Sequence, residues 1–236
     1  MRIELSRRLQ AVADLVTPGM RLADVGTDHG YIPLYLVQQE RIPSAIAMDI
    51  NKGPLAKAKE HIAECGLSEK IETRLSDGLQ KVTSEEVDTM IAAGMGGNLI
   101  IHILSAEEQT AKGLKELILQ PQSEIAKVRA YLCEQGYRII QEDMVLEDGK
   151  YYPMMKVVRG EAEEYTEEEL EFGKCLLEAR HPVLQQFLKW EIQHQKEILD
   201  SLKKKESERT KIRCEEIENR ILQIEKILKE RYTDDL

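Results

Sequence analysis

The chain has 236 residues and a formal net charge of -10, and its four cysteines form no C-x-x-C pair. This length favours one good core with one further domain, and the scattered cysteines argue against structural zinc or a disulfide framework. Since no apolar run is long enough to span a bilayer and the N-terminus lacks the apolar segment of a signal peptide, we expect a cytoplasmic protein with no membrane and no metal partner. The acidic balance gives no support to nucleic-acid binding over the whole surface, so such binding needs a local basic patch.

Short apolar runs alternate with helical patterns from residue 1 to about 160, which indicates an α/β domain with crossover helices. The predicted parallel strands are 21–25, 45–50, 71–75, 87–93 and 116–119, and helices are expected near 30–40, 53–65, 97–106 and 122–135. Two further runs, 138–146 and 151–158, flank an Asp-Gly turn and predict an antiparallel hairpin. A parallel core closed by such a hairpin is typical of the Rossmann-like sheet of class I methyltransferases, whereas NAD domains usually end in a parallel strand.

The composition changes to Glu, Lys, Leu and Ile over residues 161–236, which predicts a second, helical domain. Its apolar residues recur at alternating spacings of four and three, as in an antiparallel coiled-coil hairpin. These residues are Leu188, Ile192, Leu199 and Leu202, then Cys214, Ile217, Ile221, Ile224 and Leu228. The predicted break near Ser207 lies in a basic segment that contains Lys203, Lys204, Lys205 and Arg209. Such a tip is either a solvated helix end or a grip for nucleic-acid phosphates.

Residues 22–30, LADVGTDHG, combine a short buried strand, a glycine-spaced turn and a helix start. Gly26 and Gly30 allow a close backbone approach, which is the pattern of a nucleotide-cofactor loop. Asp28 stands where the dinucleotide fingerprint G-x-G-x-x-G has its second glycine, beside the pyrophosphate. A carboxylate repels phosphate and attracts a cation. Asp24 and Asp28 therefore favour S-adenosylmethionine, which carries an ammonium and a sulfonium group, over NAD.

Acidic residues also follow the next two strands, at the same edge of the sheet. Asp49 lies about twenty residues beyond the glycine turn, where an acidic side chain accepts hydrogen bonds from ribose hydroxyls, although it can equally cap the next helix. Asp77 can accept from the exocyclic amine of adenine while Gly78 leaves space for the ring, or the pair can simply form a turn.

A second glycine cluster, Gly94-Met95-Gly96-Gly97, follows the fourth strand and indicates either a bound ligand or a tight strand-to-helix turn. Met95 is expected in the adenine pocket, in a target-base pocket or in the core. His29 and Tyr31 flank Gly30 close to the expected acceptor, whereas His61 is expected on a helix without a partner. Arg7 and Arg8 belong to an amphipathic first helix, on which they either contact phosphate or face solvent.

Five segments in the order LSRRL, DVGTDHGYIP, MDINKGPL, AGMGG and LILQPQ carry a resemblance that spans about residues 4–160. The chain resembles the bacterial tRNA (adenine-22-N1)-methyltransferase family. The resemblance implies a methyltransferase domain with a coiled-coil domain, S-adenosylmethionine as the methyl donor, and N1 of an adenine in the D-arm of tRNA as the acceptor.

The resemblance also implies roles for particular residues. The implied cofactor-binding residues are Asp24, Gly26, Asp28, Asp49, Ile50, Asp77, Gly78 and Gly94, and the implied acceptor side consists of His29, Tyr31, Met95 and Arg8. We hypothesise a direct SN2 transfer in which the N1 lone pair attacks the sulfonium methyl group. Because this attack produces a cationic adenine, Asp28 either stabilises the charge or accepts an N6 proton, directly or through His29. Tyr31 is a candidate stacking platform for an extruded base.

Three other functions remain open on the sequence alone. A small-molecule methyltransferase would use the same loop, with the helical tail as a lid or dimerisation arm. An NAD-dependent oxidoreductase is disfavoured by Asp28 and by the hairpin. A non-catalytic protein would dimerise through the coiled coil. The oligomeric state is expected to be a monomer or a weak homodimer.

Overall fold

The computed structural model describes residues 3–161, 163–203 and 208–232. The chain divides into two compact units, Met1–Cys175 and Leu176–Leu236. The helices in chain order are α1 (Arg7–Asp14), α2 (Tyr31–Gln38), α3 (Lys52–Glu64), α4 (Gly97–Ala106), α5 (Glu108–Gly113), α6 (Ile125–Glu134), α7 (Glu167–Phe172), α8 (Lys174–Glu178), α9 (Pro182–Leu202) and α10 (Glu208–Tyr232). The strands are β1 (Leu22–Val25), β2 (Ala45–Asp49), β3 (Ile71–Leu75), β4 (Thr89–Gly96), β5 (Glu116–Ser123), β6 (Tyr137–Glu147) and β7 (Lys150–Arg159).

The strands form one seven-stranded sheet in the order β3-β2-β1-β4-β5-β7-β6. The strands from β3 to β5 are parallel, while β7 runs antiparallel to both β5 and β6. The chain reverses its direction of travel across the sheet between β3 and β4, because β1 lies between β2 and β4. In open α/β sheets, ligands bind beyond the carboxyl ends of the strands at such a switch point. The predicted Rossmann-like methyltransferase sheet with its closing hairpin is confirmed.

Apolar clusters cover both faces of this sheet. Met90 and Ile91 are adjacent in β4 and both fully buried, yet they belong to different clusters, because successive side chains of a strand point to opposite faces. Helices α4 and α6 contribute to the cluster around Met90, whereas α1, α2 and α3 contribute to the cluster around Ile91. Both faces of the sheet are therefore covered, so a ligand-binding site is expected at the carboxyl ends of the parallel strands.

Two predicted boundaries are wrong at the end of the parallel core. β4 continues to Gly96 rather than Ala93, and β5 continues to Ser123, whereas the sequence predicted a helix from about residue 122. The reason is a pair of register shifts in which Met95 lies beside Pro121 and Gly96 beside Ser123. Helix α6 consequently begins at Ile125.

A buried ion pair connects α6 to β6. The Arg129 Nε and Nη2 atoms both lie 2.8 Å from Glu142 Oε1, and the two side chains are 1% and 0% exposed. Arg129 Nη1 donates to the carbonyl oxygens of Leu170 and Glu171, and Glu142 Oε2 accepts from the backbone N–H of Cys175. The pair therefore satisfies its own hydrogen-bonding groups while it attaches the segment around α7 to the sheet domain.

This attachment moves the boundary between the two units. The sequence placed the division between residues 160 and 161, whereas the structure places it after Cys175. Gly173 allows the attachment, since its φ is +93° and a Cβ there would lie 2.6 Å from Glu142 Oε2. A polar segment that composition assigns to the tail thus belongs to the first unit.

The second unit contains the antiparallel helices α9 and α10. Leu199 packs against Ile217 and Ile221 between them. Lys196 pairs with Glu225 at 3.2 Å and Lys203 pairs with Glu218 at 2.8 Å, so that residues further along α9 meet residues earlier in α10. The predicted helical hairpin is present, and its coiled-coil geometry stays a prediction.

Two features are absent from the part of the chain that the structure describes. No helix there is long and apolar enough to cross a membrane. No group of three or more His, Cys, Asp or Glu side chains there is arranged to hold a metal ion.

Replacing Glu142 by Gln is expected to lower the free energy of unfolding by about 3–5 kcal/mol, because Arg129 would stay buried without its counter-charge. The matched control is Glu108→Gln, which removes the partner of Lys112 in an exposed i,i+4 pair and is expected to cause no measurable change. Urea unfolding followed by far-UV circular dichroism measures both. Equal losses in the two variants would contradict the special role of the buried pair.

Candidate functional site

The loop between β1 and α2 is held in an uncommon backbone conformation. Gly26, His29 and Gly30 have φ values of +72°, +58° and +73°. A Cβ on Gly26 would collide with the terminal methyl group of Met95, and a Cβ on Gly30 would lie 3.3 Å from that of Ala58. The two glycines predicted in this loop are therefore required by close approach as well as by backbone conformation.

Asp24 ends up buried beneath this loop. Its residue exposure is 5%, and its Oδ2 atom accepts a 2.5 Å hydrogen bond from the Thr27 hydroxyl. Burial raises the pKa of Asp24 to about 6, the Thr27 hydrogen bond opposes this rise, and the negative charges of Asp28 and Asp49 add to it. Among the described residues, Asp24 has no cationic partner within ion-pair distance. A carboxylate in this environment favours a positively charged ligand.

Three aromatic rings stack beside the loop. The His29 and Tyr31 rings are 5.5 Å apart and tilted by only 4°, and the His61 ring from α3 lies 5.8 Å from His29 and 5.6 Å from Tyr31. The His61 Nδ1 atom is 3.1 Å from the His29 carbonyl oxygen, so Nδ1 is the protonated nitrogen of this contact. The Asp28 carboxylate approaches His29 Nε2 at 3.3 Å.

The expectation that His61 has no partner is therefore wrong. The sequence could not reveal the contact, because His61 is more than thirty residues from His29 and meets it only through the packing of α3 on the loop. His61 thus ties α3 to the backbone carbonyl of a residue in the left-handed region.

The ends of β2 and β3 carry the residues predicted for the nucleoside part of a cofactor. Asp49 Oδ1 accepts from the Asn51 backbone N–H at 2.6 Å, and Ile50 next to it is 61% exposed. Asp77 is exposed, and Gly78 has a φ of +55° with the Ile103 side chain 3.0 Å from where its Cβ would be. The Asp49 side chain therefore stabilises a local turn, and glycine is required at position 78 because Ile103 packs against it. Asp77 and Ile50 are exposed at the carboxyl edge of the sheet.

The second glycine cluster has two distinct causes. Gly97 is packed against β5, since a Cβ there would lie 2.5 Å from the Ser123 carbonyl oxygen. Gly94 instead has a φ of +78°, and its backbone N–H donates to Gln120 Oε1 at 3.1 Å. Close packing against β5 therefore explains Gly97. Gly94 instead lines a cavity together with Gly26 and Asp28 of the first loop.

Gln120 also binds the side chain of Arg8, which lies next to Gly94. Arg8 Nη1 donates to Gln120 Oε1 at 3.0 Å, and the Arg8 guanidinium lies over the Tyr152 ring at 5.5 Å. Arg7 points elsewhere, with Nη1 at 3.5 Å from the Leu146 carbonyl oxygen. The two neighbouring arginines that the sequence treats alike thus have different surroundings.

A cavity of about 260 Å³ lies between the two loops. The residues that line it are Arg8, Leu9, Asp24, Gly26, Asp28, Tyr31, Ile32, Ala93, Gly94 and Gln122. Six of these were predicted site residues, and Gln122 is the polar residue that sequence reasoning missed. Other predicted residues are outside its lining, namely Arg7, His29, Asp49, Ile50, Asp77, Gly78 and Met95.

The basic tip is mostly outside the structural description. Lys204 and Lys205 are outside the described residues, as is the side chain of Arg209. Lys203, the last residue before that gap, pairs with Glu218.

The cavity suits S-adenosylmethionine better than a phosphorylated cofactor. Asp24 in β1 and Asp28 in the loop after it line the cavity, and a cation would offset the desolvation of the Asp24 carboxylate. Gly26 and Gly94 line the cavity with backbone alone, and the space beside Gly26 is taken by the Met95 methyl group. These features fit an ammonium and a sulfonium group and oppose a pyrophosphate.

Comparisons with known proteins agree with this geometry. The family described as "Methyltransferase domain" matches residues 5–155. The tRNA (adenine(22)-N(1))-methyltransferase of Bacillus subtilis strain 168 is 39% identical over 159 residues, which cover 67% of this chain and 67% of that protein.

Solved structures are similar over nearly the whole chain. A Streptococcus pneumoniae protein in complex with S-adenosyl-L-methionine has a TM-score of 0.85 and 31% identity, and the match covers 95% of this chain and 100% of that one. M. capricolum TrmK in complex with S-adenosyl-homocysteine has a TM-score of 0.80 and 30% identity, with 95% and 98% covered. The chain therefore belongs to the tRNA (adenine(22)-N(1))-methyltransferase family.

Proposed function

We propose that the protein transfers a methyl group from S-adenosylmethionine to N1 of an adenine in the D-arm of tRNA. The observation that carries this proposal is the buried carboxylate of Asp24 beneath a glycine-walled cavity at the switch point of the sheet. The membership of the chain in a family with a tRNA (adenine(22)-N(1))-methyltransferase supplies the acceptor.

The strand order separates the two sides of the site. S-adenosylmethionine supplies a methyl group that its sulfonium sulfur activates towards nucleophiles. On the side of β1 to β3, Asp24 and Asp28 balance the positive charges of the donor, Asp49 accepts from its ribose, and Asp77 accepts from its adenine amine. Ile50 offers its exposed side chain to the adenine ring, and Gly26 and Gly94 present backbone to the cavity, while Gly78 packs against Ile103 beside Asp77.

The acceptor base lies between the start of α2 and the elements α1, β4 and β5, because Tyr31, Arg8, Gly94 and Gln122 line the same cavity. Tyr31 stacks the extruded base, and the contacts with His29 and His61 hold the Tyr31 ring in place. Met95 packs against Gly26 and so fixes the spacing of the two loops. Because attack through N1 leaves the base cationic, Asp28 balances the new charge or takes an N6 proton, directly or through His29, which lies 3.3 Å away.

The helical hairpin holds the rest of the tRNA. Lys203, Lys204, Lys205 and Arg209 concentrate positive charge in the sequence between the end of α9 and the start of α10 of an otherwise acidic chain. Phosphate contacts of this kind set the position of a folded RNA and leave the reading of one base to the catalytic domain. Arg7 and Arg8 would add phosphate contacts at the first helix.

The direct test incubates the protein with labelled S-adenosylmethionine and unmodified bulk tRNA, then maps the labelled nucleoside. We expect N1-methyladenosine in the D-arm. Tyr31→Ala is expected to lose most of this methylation while it still binds S-adenosylmethionine in calorimetry, because the stacking surface is absent. Cofactor binding by the wild type without any labelled tRNA nucleoside would instead favour a small-molecule acceptor and refute the proposal.

The affinity for S-adenosylmethionine is expected to fall as the pH drops below about 6, since the raised pKa of Asp24 means that the free protein takes up a proton there. The cation needs the ionised carboxylate, so Kd rises towards tenfold for each further pH unit, and binding near pH 5 releases a proton. Calorimetry in two buffers of different ionisation enthalpy measures both effects.

The control for this prediction is Asp24→Asn, which is expected to bind more weakly with no pH dependence between pH 5 and 7. A pH dependence of the same size in this variant would show that another group titrates.

The tRNA affinity is expected to depend steeply on salt. Changing Lys203, Lys204, Lys205 and Arg209 to Gln should reduce the slope of log Kd against log salt concentration by about 3, because four phosphate contacts are lost. The control changes four cations at the opposite end of the hairpin, namely Lys189, Lys226, Lys229 and Arg231. Filter binding at several salt concentrations measures the slope for both variants. Equal slopes in the two variants would contradict the proposed role of the basic segment in binding tRNA.

A further inference from the structure

We propose that Gln122 is the specificity-determining residue for the target base, and that its carboxamide binds the N6 amino group and N7 of the adenine. This inference rests on the proposed function, since it concerns how the same site recognises the base that receives the methyl group. It gives a role to the last residue of the LILQPQ segment, which the sequence analysis did not place in the site.

The position of Gln122 places it on the acceptor side. It lies near the end of β5, between Pro121, which is beside Met95, and Ser123, which is beside Gly96. In the strand order β3-β2-β1-β4-β5, the end of β5 is on the far side of β1 from Asp49 and Asp77. Gln122 is exposed and lines the same cavity as Asp28 and Tyr31.

The chemistry of the reaction limits how the base can be read. The N1 lone pair must stay free to react, so a protein group cannot use N1 as its recognition point. Of the remaining polar atoms, the N6 amino group and N7 lie side by side and together present one donor and one acceptor, whereas N3 is a single acceptor on another edge of the base. A carboxamide matches them, because Oε1 accepts from N6–H while Nε2 donates to N7.

The other polar side chains that line the cavity cannot make this pair of bonds. Asp24 and Asp28 are acceptors when ionised, and Arg8 is a donor without an acceptor. Tyr31 offers a ring face for stacking. Within the lining, Gln122 is the side chain that carries a planar donor and acceptor together.

A comparison with Gln120 shows that the two glutamines around Pro121 are not equivalent. Gln120 is fully buried, and its Oε1 accepts from Arg8 and from Gly94 while its Nε2 donates to the Pro121 carbonyl oxygen. Gln122 has no hydrogen-bond partner for its carboxamide within the described part of the chain. The Gln120 amide therefore positions Arg8 and Gly94 in the wall of the cavity, whereas the Gln122 amide is free to bind a ligand.

Gly94 keeps the space between the candidate base-reading groups. A Cβ there would lie 3.4 Å from Arg8 Nη1 and 3.8 Å from Gln122 Nε2. Both groups therefore converge on the same opening at the end of β4. Arg8 is already bound to Gln120, so it contributes positive potential at this opening, while Gln122 contributes the directional pair of hydrogen bonds.

The test removes one atom from the substrate and one side chain from the protein. The tRNA carries 7-deazaadenine in place of the target adenine, so that a C–H group replaces N7. For the wild type we expect kcat/KM to fall about 5- to 150-fold, the range that corresponds to losing part or all of a bidentate contact. Gln122→Leu is expected to be slower on ordinary tRNA but to lose nothing further on the 7-deaza substrate.

This double-mutant cycle separates recognition from reactivity. The substitution of N7 also changes the basicity of N1, but both enzymes meet the same base, so this effect cancels in the cycle. Gln141→Leu alters an exposed glutamine of β6 that is outside the cavity lining, and it is expected to behave as the wild type does on both substrates. Calorimetry with S-adenosylmethionine checks that each variant keeps its cofactor site.

Two results would overturn the inference. One is a 7-deaza penalty that is as large in Gln122→Leu as in the wild type, since another group would then contact N7. The other is a wild type that shows no penalty. Either result is distinct from failure of the proposed function, in which the wild type does not methylate ordinary tRNA.

Discussion

The approach of Met95 to Gly26 is the constraint on which the cavity depends. β1 and β4 pair in parallel, so the loops that follow them leave the sheet at the same edge, and only a residue without a side chain lets them come this close. Asp24 lies in β1 just before the first of these loops, and it is buried. The loop packing shapes the cavity, and the burial of Asp24 in its wall raises the pKa of the group that would meet a ligand.

That electrostatic environment decides which cofactors suit the fold. Rossmann-like sheets bind many nucleotides at the same edge, and the usual glycine beside a pyrophosphate permits close backbone approach. Here Asp28 occupies that place, and Asp24 and Asp49 add negative charge nearby. The one arginine that lines the cavity, Arg8, is bound to Gln120 and lies over Tyr152. A pyrophosphate would have to displace these contacts and also meet the carboxylates, whereas a cationic donor meets a site already arranged for it.

Sequence patterns predicted the features that arise from local structure. The strands, the glycine loops and the Asp-Gly hairpin each lie within a few neighbouring residues, so their periodicity and turn chemistry can be read from the chain. The extension of β5 through Ser123 could not, because it depends on register shifts against β4. The buried pair of Arg129 and Glu142 was equally hidden, since charged residues on a helix and an edge strand look solvent-exposed in sequence. The missed pair explains the misplaced domain boundary, for it attaches residues up to Cys175 to the sheet.

The contrast between Gln120 and Gln122 shows why residue type alone cannot assign a role. Both flank Pro121, which has no backbone N–H to donate and restricts the conformation of the residue before it. Gln120 is turned into the protein, where an unpaired amide would be costly. Its Oε1 accepts from Arg8 and Gly94, and its Nε2 donates to the Pro121 carbonyl oxygen. Gln122 is turned towards the cavity, where leaving its amide unpaired costs little until a ligand excludes water. The same residue type therefore serves as a fixed part of the cavity wall at position 120 and as a candidate ligand-binding group at position 122. The difference follows from burial, since Gln120 is buried and Gln122 is exposed.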